Sequence, residues 1–212
     1  MSDSNNITKI NAYSFLSGCY LPPDENLSGL LDQFRQNLGS WIPEAQKHLD
    51  SMTNKLHNLK NGLQELTLDY SRLFLGPFEV LAPPFGSVYL NQHKKMIMDE
   101  TTAEVENMYS KAGLNVDDGF NNPADHIAAE LEFMHYLYFQ EQVALGSGNK
   151  NRADELKEHR SKFFKKHLGK WGPTFARKVE ENAQMDFYRQ LGLLTRLVLA
   201  AEAKAHEVSS MG

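Results

Sequence analysis

Apolar residues recur every three to four positions along most of the chain, and alternation with a period of two is nearly absent, so the pattern predicts helices and almost no strands. Ile10, Tyr13, Leu16 and Tyr20 mark a first helix that Pro22 and Pro23 end, with Asp24 placed to cap the next. Leu27, Leu30, Leu31, Phe34 and Leu38 carry a second helix. Leu49, Met52, Leu56 and Leu59 carry a third, and Leu63, Leu66, Tyr70, Leu73 and Phe74 a fourth that stops at Gly76-Pro77. From there to about His93 the helical period is lost. Val105, Met108, Tyr109 and Ala112 restore it, and Pro123 opens a strong helix through Ile127, Leu131, Met134, Leu137 and Tyr138 that breaks at Gly146-Ser147-Gly148. Three more helices hold Leu156, Phe163 and Phe164, then Phe175 and Val179, then Phe187 to Ala201. The expectation is an all-α fold, a bundle of about nine to ten helices.

A chain of 212 residues is long enough to bury a core as one domain, 1–212. The stretch Asp117-Asp118-Gly119-Phe120-Asn121-Asn122 reads as a linker, and it divides the domain into candidate lobes 1–113 and 123–212 hinged at about 114–122. A hinge of this kind permits a domain-swapped dimer as well as a monomer.

Composition narrows the function. With 41% hydrophobic and 23% charged residues the chain sits near the globular average. Its one cysteine, Cys19, rules out an internal disulfide and a thiolate metal cage in a single copy. The N-terminus lacks the basic and apolar regions of a signal peptide, and the apolar runs are far too short to span a bilayer, so a cytoplasmic protein with no transmembrane segment is expected. Residues 1–149 hold nine basic and nineteen acidic groups, whereas residues 150–178 hold ten basic and three acidic. The basic residues Lys150, Arg152, Lys157, Arg160, Lys162, Lys165 and Lys166 alternate with acids on one helix and read as a solvated face. The acidic excess elsewhere argues against nucleic acid and suits a cationic peptide.

Several constellations carry candidate chemistry. The apolar connection from Gly76 to His93 holds Phe78, Val80, Leu81, Phe85, Val88, Tyr89 and Leu90, and reads either as a core-completing strap or as a binding element. In Asn122-Pro123-Ala124-Asp125-His126, Asn122 suits an N-cap, Pro123 position N1 and Asp125 position N3. Glu130 lies one turn beyond His126, so Asp125, His126 and Glu130 form a cluster able to meet guanidinium groups. Glu132 and His135 have the Glu-x-x-His spacing of carboxylate-bridged di-iron bundles, which raises a metal-enzyme alternative, but the sequence holds no second such pair. Phosphate-loop and His-Glu-x-x-His motifs are absent, and Cys19 sits on an apolar face beside Leu16 and Tyr20 as a structural thiol. No cofactor is expected, and a helical adaptor for an unrelated protein is the other alternative.

Three segments together resemble the TorD/DmsD family of redox-enzyme maturation chaperones, to which the NarJ-type chaperones are related. They are Tyr70-Ser71-Arg72-Leu73-Phe74-Leu75-Gly76-Pro77 with Pro83-Pro84-Phe85-Gly86-Ser87-Val88-Tyr89, then Pro123-Ala124-Asp125-His126 with Glu130-Leu131-Glu132-Phe133-Met134, then His167-Leu168 with Trp171, Pro173 and Phe175. The resemblance runs from residue 70 to the C-terminus. It implies a cytoplasmic, all-helical, non-enzymatic chaperone that binds the precursor of a molybdenum-containing oxidoreductase, as apo-enzyme or through its twin-arginine signal peptide, and delays export until the cofactor is loaded. Carried over by position, the peptide-binding region would include Tyr70, Leu73, Phe74, Phe78, Ser87, Tyr89, Asp125 and His126, and the acid cluster adds Glu130. Tyr70, Phe78, Phe85 and Tyr89 stand where DmsD-like members have tryptophan, and Met98 stands near a glycine of some relatives.

Overall fold

The computed structural model describes residues 2–35, 41–58, 63–76, 79–91, 100–114 and 122–208. The chain is all-α: 79% helical, with ten α-helices and no strand among the described residues. They are α1 (Ser2–Cys19), α2 (Leu27–Arg35), α3 (Ala45–His57), α4 (Gln64–Tyr70), α5 (Gly86–Leu90), α6 (Glu100–Lys111), α7 (Ile127–Gly146), α8 (Lys150–Lys166), α9 (Leu168–Asn182) and α10 (Asp186–Val208).

The chain divides into two compact units, the first comprising residues 1–17 and 85–171, the second 18–84 and 172–212. The divisions fall inside α1 and α9 rather than at the expected hinge. Both sides of 114–122 lie in the first unit, and the reason is local: the Tyr109 hydroxyl donates to the Ala124 carbonyl (2.9 Å) and Thr102 to Asp125 (2.9 Å), which ties α6 to the residues ahead of α7. Residues 115–121 themselves lie outside the described residues.

In the first unit, α7 is apolar on nearly every side and is packed accordingly. It buries Ile127, Leu131, Phe133, Met134, Leu137 and Tyr138, with Tyr138 stacked on Tyr13 of α1 and Phe133 against Tyr109 of α6 and Phe163 of α8. The basic stretch proves solvated except at one position. Arg160 is buried, pairs with the buried Glu141, and lies 3.8 Å from the centre of the Tyr138 ring, so a cation that the pattern assigned to solvent is neutralised inside.

In the second unit, α10 packs on α3, and the core is aromatic. Phe74 touches Tyr20, Tyr70, Phe175 and Tyr188 at ring separations of 5.9, 5.0, 6.0 and 5.9 Å. What turns Leu73 and Phe74 inward beside Tyr70 is a π-helical turn, Ser71–Leu75, closed by the Gly76 N–H on the Ser71 carbonyl at 2.7 Å. Gly76 has φ 56°, and a Cβ there would stand 2.5 Å from the Glu79 carbonyl oxygen, so the turn needs glycine.

Candidate functional site

Residues 122–126 do not open α7 as their spacing predicts. The helix starts at Ile127 and its cap is His126, extended at φ −68° and ψ 139°, whose Nδ1 accepts the Ala128 N–H at 3.2 Å. The physical reason is a competing set of bonds. His126 forms an isolated antiparallel bridge with Phe85, their rings meeting edge to face at 5.4 Å, and the Asp125 carbonyl accepts the Gly86 N–H at 2.9 Å. The Asp125 carboxylate accepts the Ser87 N–H on Oδ2 (2.7 Å) and the Thr102 hydroxyl on Oδ1 (2.9 Å). Asp125 is therefore spent on the first turn of α5, a short helix inside the segment where the period is lost, and on α6. It is sealed from solvent.

Beside this knot stands a second buried acid. Glu130 Oε2 accepts the Trp171 indole N–H at 3.0 Å, while Oε1 has no hydrogen-bond partner. Burial pushes the Glu130 carboxyl well above the usual range, the indole bond opposes this, and the charge of Asp125 adds to it. Gly86 lies against the pair: a Cβ on it would meet Trp171 Nε1 at 2.9 Å and Glu130 Oε1 at 3.1 Å. Tyr89, one turn along α5, stacks on Trp171 with ring centres 5.4 Å apart. Burial holds His126 down at about 4 against the opposing charge of Asp125, so its ring is neutral and free to accept at Nδ1.

Of the residues expected to meet a peptide, Ser87, Tyr89, Asp125, His126 and Glu130 are brought together in the first unit. Tyr70, Leu73 and Phe74 are core residues of the second unit, Tyr70 at the end of α4 and Leu73 and Phe74 on the π-helical turn. Phe78 lies outside the described residues. Within the cluster expected to meet guanidinium groups, Asp125 and Glu130 are fully buried, and burial raises the Glu130 carboxyl above its usual range. What faces outward is α5 itself, where Val88, Tyr89 and Leu90 are half-buried. Two members escaped sequence reasoning. Thr102 shares a helical face with Val105 and Tyr109, which was the available sign that it points inward. Trp171 stood in a recognised segment without a role.

The remaining constellations stay apart from this knot. His135 Nδ1 lies 3.0 Å from the Ile10 carbonyl, with Nε2 4.0 Å from the exposed Glu132, and no group of three or more His, Cys, Asp or Glu is gathered among the described residues. Cys19 is buried, and burial raises its thiol far above its usual range. No helix among the described residues is long and apolar enough to cross a membrane.

The sequence profile described as nitrate reductase delta subunit matches residues 30–177. The chain belongs to the nitrate reductase delta subunit family. Within that family it is 29% identical over 197 residues to the DmsD-type Tat proofreading chaperone of Haemophilus influenzae, spanning 90% of this chain and 88% of the relative. It is 30% identical over 174 residues to the chaperone protein TorD of Vibrio cholerae serotype O1, spanning 82% of this chain and 73% of that protein. The crystal structure of a candidate redox enzyme maturation protein from Archaeoglobus fulgidus superposes with a TM-score of 0.54 at 22% identity, over 92% of this chain and 93% of that one, which shows a shared fold. These matches bear out the resemblance to the TorD/DmsD family, to which the NarJ-type chaperones are related.

Proposed function

We propose that this chain is a cytoplasmic maturation chaperone that binds the precursor of an exported molybdenum-containing oxidoreductase, through its twin-arginine signal peptide or its apo-enzyme body, and withholds it from export until the cofactor is in place. It acts by binding and not by catalysis. The observation that carries the reading is the α5 segment. A short helix with the half-exposed apolar side chains Val88, Tyr89 and Leu90 is pinned to a rigid bundle by buried hydrogen bonds, and so it is an ordered apolar ledge for an extended peptide. The relatedness to proteins named for Tat proofreading supports the same reading. The apolar stretch of a signal peptide would leave water on such a ledge, and the acidic excess of residues 1–149 would speed the approach of its arginines.

Calorimetric titration with synthetic twin-arginine signal peptides from the source organism's molybdenum enzymes tests this, beside peptides whose arginines are alanine. Saturable binding at micromolar Kd or tighter that weakens without the arginines is expected. Failure of every such signal and of every such precursor to bind would end the reading.

A further inference from the structure

Of the chemistry-bearing groups outside ordinary packing, the buried acids of the first unit are the most costly. A carboxyl sealed from water is retained only where its bonds do something. The α6/α8 groove lined by Lys111, Lys162 and Lys166 is open, and Lys166 is already paired with Glu104 at 3.1 Å. The exposed apolar residues of α7, Phe139 and Val143, have nothing beside them to say what covers them. The acids and α5, by contrast, form one connected object.

We infer that Asp125 and Glu130 are positioning residues of the client site: they pin α5 by hydrogen bonds to its backbone and to Trp171, and do not read the client's arginines with their charge. The inference rests on the function proposed above and assigns the parts of its site. The Ser87 N–H ends on Asp125 Oδ2, and Gly86 N–H on the Asp125 carbonyl, so the first two N–H groups of α5 are satisfied by one residue. Thr102, itself buried, takes the other carboxylate oxygen and fixes its rotamer. Glu130 orients the Trp171 indole through the 3.0 Å bond, and the indole is the surface on which Tyr89 stacks. Gly86 fits between the two only for want of a side chain. Both carboxyls have no exposed surface, so a guanidinium reaches neither without dismantling α5.

This assignment makes the negative charge dispensable and the hydrogen-bond geometry essential. An asparagine at 125 can still accept the Ser87 N–H while its amide donates to the Thr102 oxygen, and a glutamine at 130 can still accept the indole N–H. In titrations with the signal peptide, Asp125→Ala and Glu130→Ala are expected to weaken affinity about tenfold or more, and Asp125→Asn and Glu130→Gln to recover most of that loss. Thr102→Val, at a buried position that cannot touch a client, is expected to weaken affinity as well. In the client-free protein, amide exchange at Gly86 and Ser87 should quicken about tenfold in Asp125→Ala, with α7 unchanged. Asparagine and glutamine variants as weak as the alanine variants, together with wild-type affinity in Thr102→Val, would overturn the inference. Should Asp125→Ala not fold, Thr102→Val and Asp125→Asn carry the same comparison. If the wild type binds no signal peptide the proposed function fails, and amide exchange decides the pin by itself: unaltered protection at Gly86 and Ser87 overturns it, and lost protection supports it.

Discussion

The indole N–H of Trp171 ends on Glu130 Oε2 at 3.0 Å with both side chains sealed from solvent, and burial raises the carboxyl that receives it well above its usual range. The consequence for stability follows from proton linkage. Burial raises the folded-state value of Glu130, with the charge of Asp125 adding to it and the Trp171 bond opposing it, so between the ordinary glutamate value near 4.5 and that raised value the folded chain holds a proton that the unfolded chain has lost. The contribution is complete at low pH and is lost as pH rises through the folded value. Glu130→Gln removes this slope, so the melting temperature of the variant should gain on the wild type as pH rises above about 4.5. A melting-temperature difference that stays constant as pH rises would show that the Glu130 carboxyl is not raised in the folded chain.

His126 gives the opposite slope. Burial lowers its folded-state value to about 4 from 6.5, so below pH 6.5 the unfolded chain takes up a proton that the folded chain refuses. Stability from this group is full above pH 6.5 and is lost as pH falls towards 4. Protonation also removes the Nδ1 lone pair that accepts the Ala128 N–H. His126→Asn keeps an acceptor at the cap without the titration. Its stability relative to wild type should therefore rise as the solution is acidified from pH 6.5 to pH 4.5, as read by urea unfolding at each pH.

These two residues also mark where sequence reading succeeds and where it stops. The helices were legible because each buries one face, and faces are written at three- and four-residue spacing. That Asn122 to His126 is a special segment was legible too, from its turn chemistry. Its role was not, because the bonds that decide it join Asp125 to Ser87, 38 positions away, and to Thr102, 23 positions away, and no spacing rule records such a partner. Tyr70, Leu73 and Phe74 are carried to a peptide-binding region by resemblance alone, while their apolar spacing marks the face that is buried in the second unit. The π-helical insertion at Ser71–Leu75, which carries Leu73 and Phe74, leaves no periodic sign of itself.

Phe74 accordingly belongs to stability. Its ring meets four other aromatic rings within 6.0 Å, and truncation opens a cavity that so interlocked a cluster cannot close. Phe74→Ala should cost about 3 to 5 kcal/mol in chemical unfolding, whereas Phe74→Leu should cost less because it fills most of the volume. Peptide affinity, corrected for the folded fraction, should fall less than threefold in Phe74→Leu, a factor of about 0.6 kcal/mol. A larger loss in a fully folded variant would return Phe74 to the binding surface.

Asp69 plays in the second unit the part that Asp125 plays in the first. It is buried, its Oδ2 accepts the backbone N–H groups of Gln184 (3.0 Å) and Met185 (2.7 Å) in the turn between α9 and α10, and its Oδ1 accepts Arg72 Nε (3.1 Å) and a terminal nitrogen (2.8 Å). Arg72 also donates to the Asn182 carbonyl, so the two side chains hold one turn from both sides. Removing the acid strands two backbone donors and a half-buried cation, and Asp69→Ala should cost on the order of 3 kcal/mol. Arg72→Ala should cost less, since Arg72 reaches solvent. Because the pair acts on one turn, the double variant should be less destabilised than the two single losses added together, by about 1 kcal/mol or more. Simple additivity in urea unfolding would mean that Asp69 caps the turn without the help of Arg72.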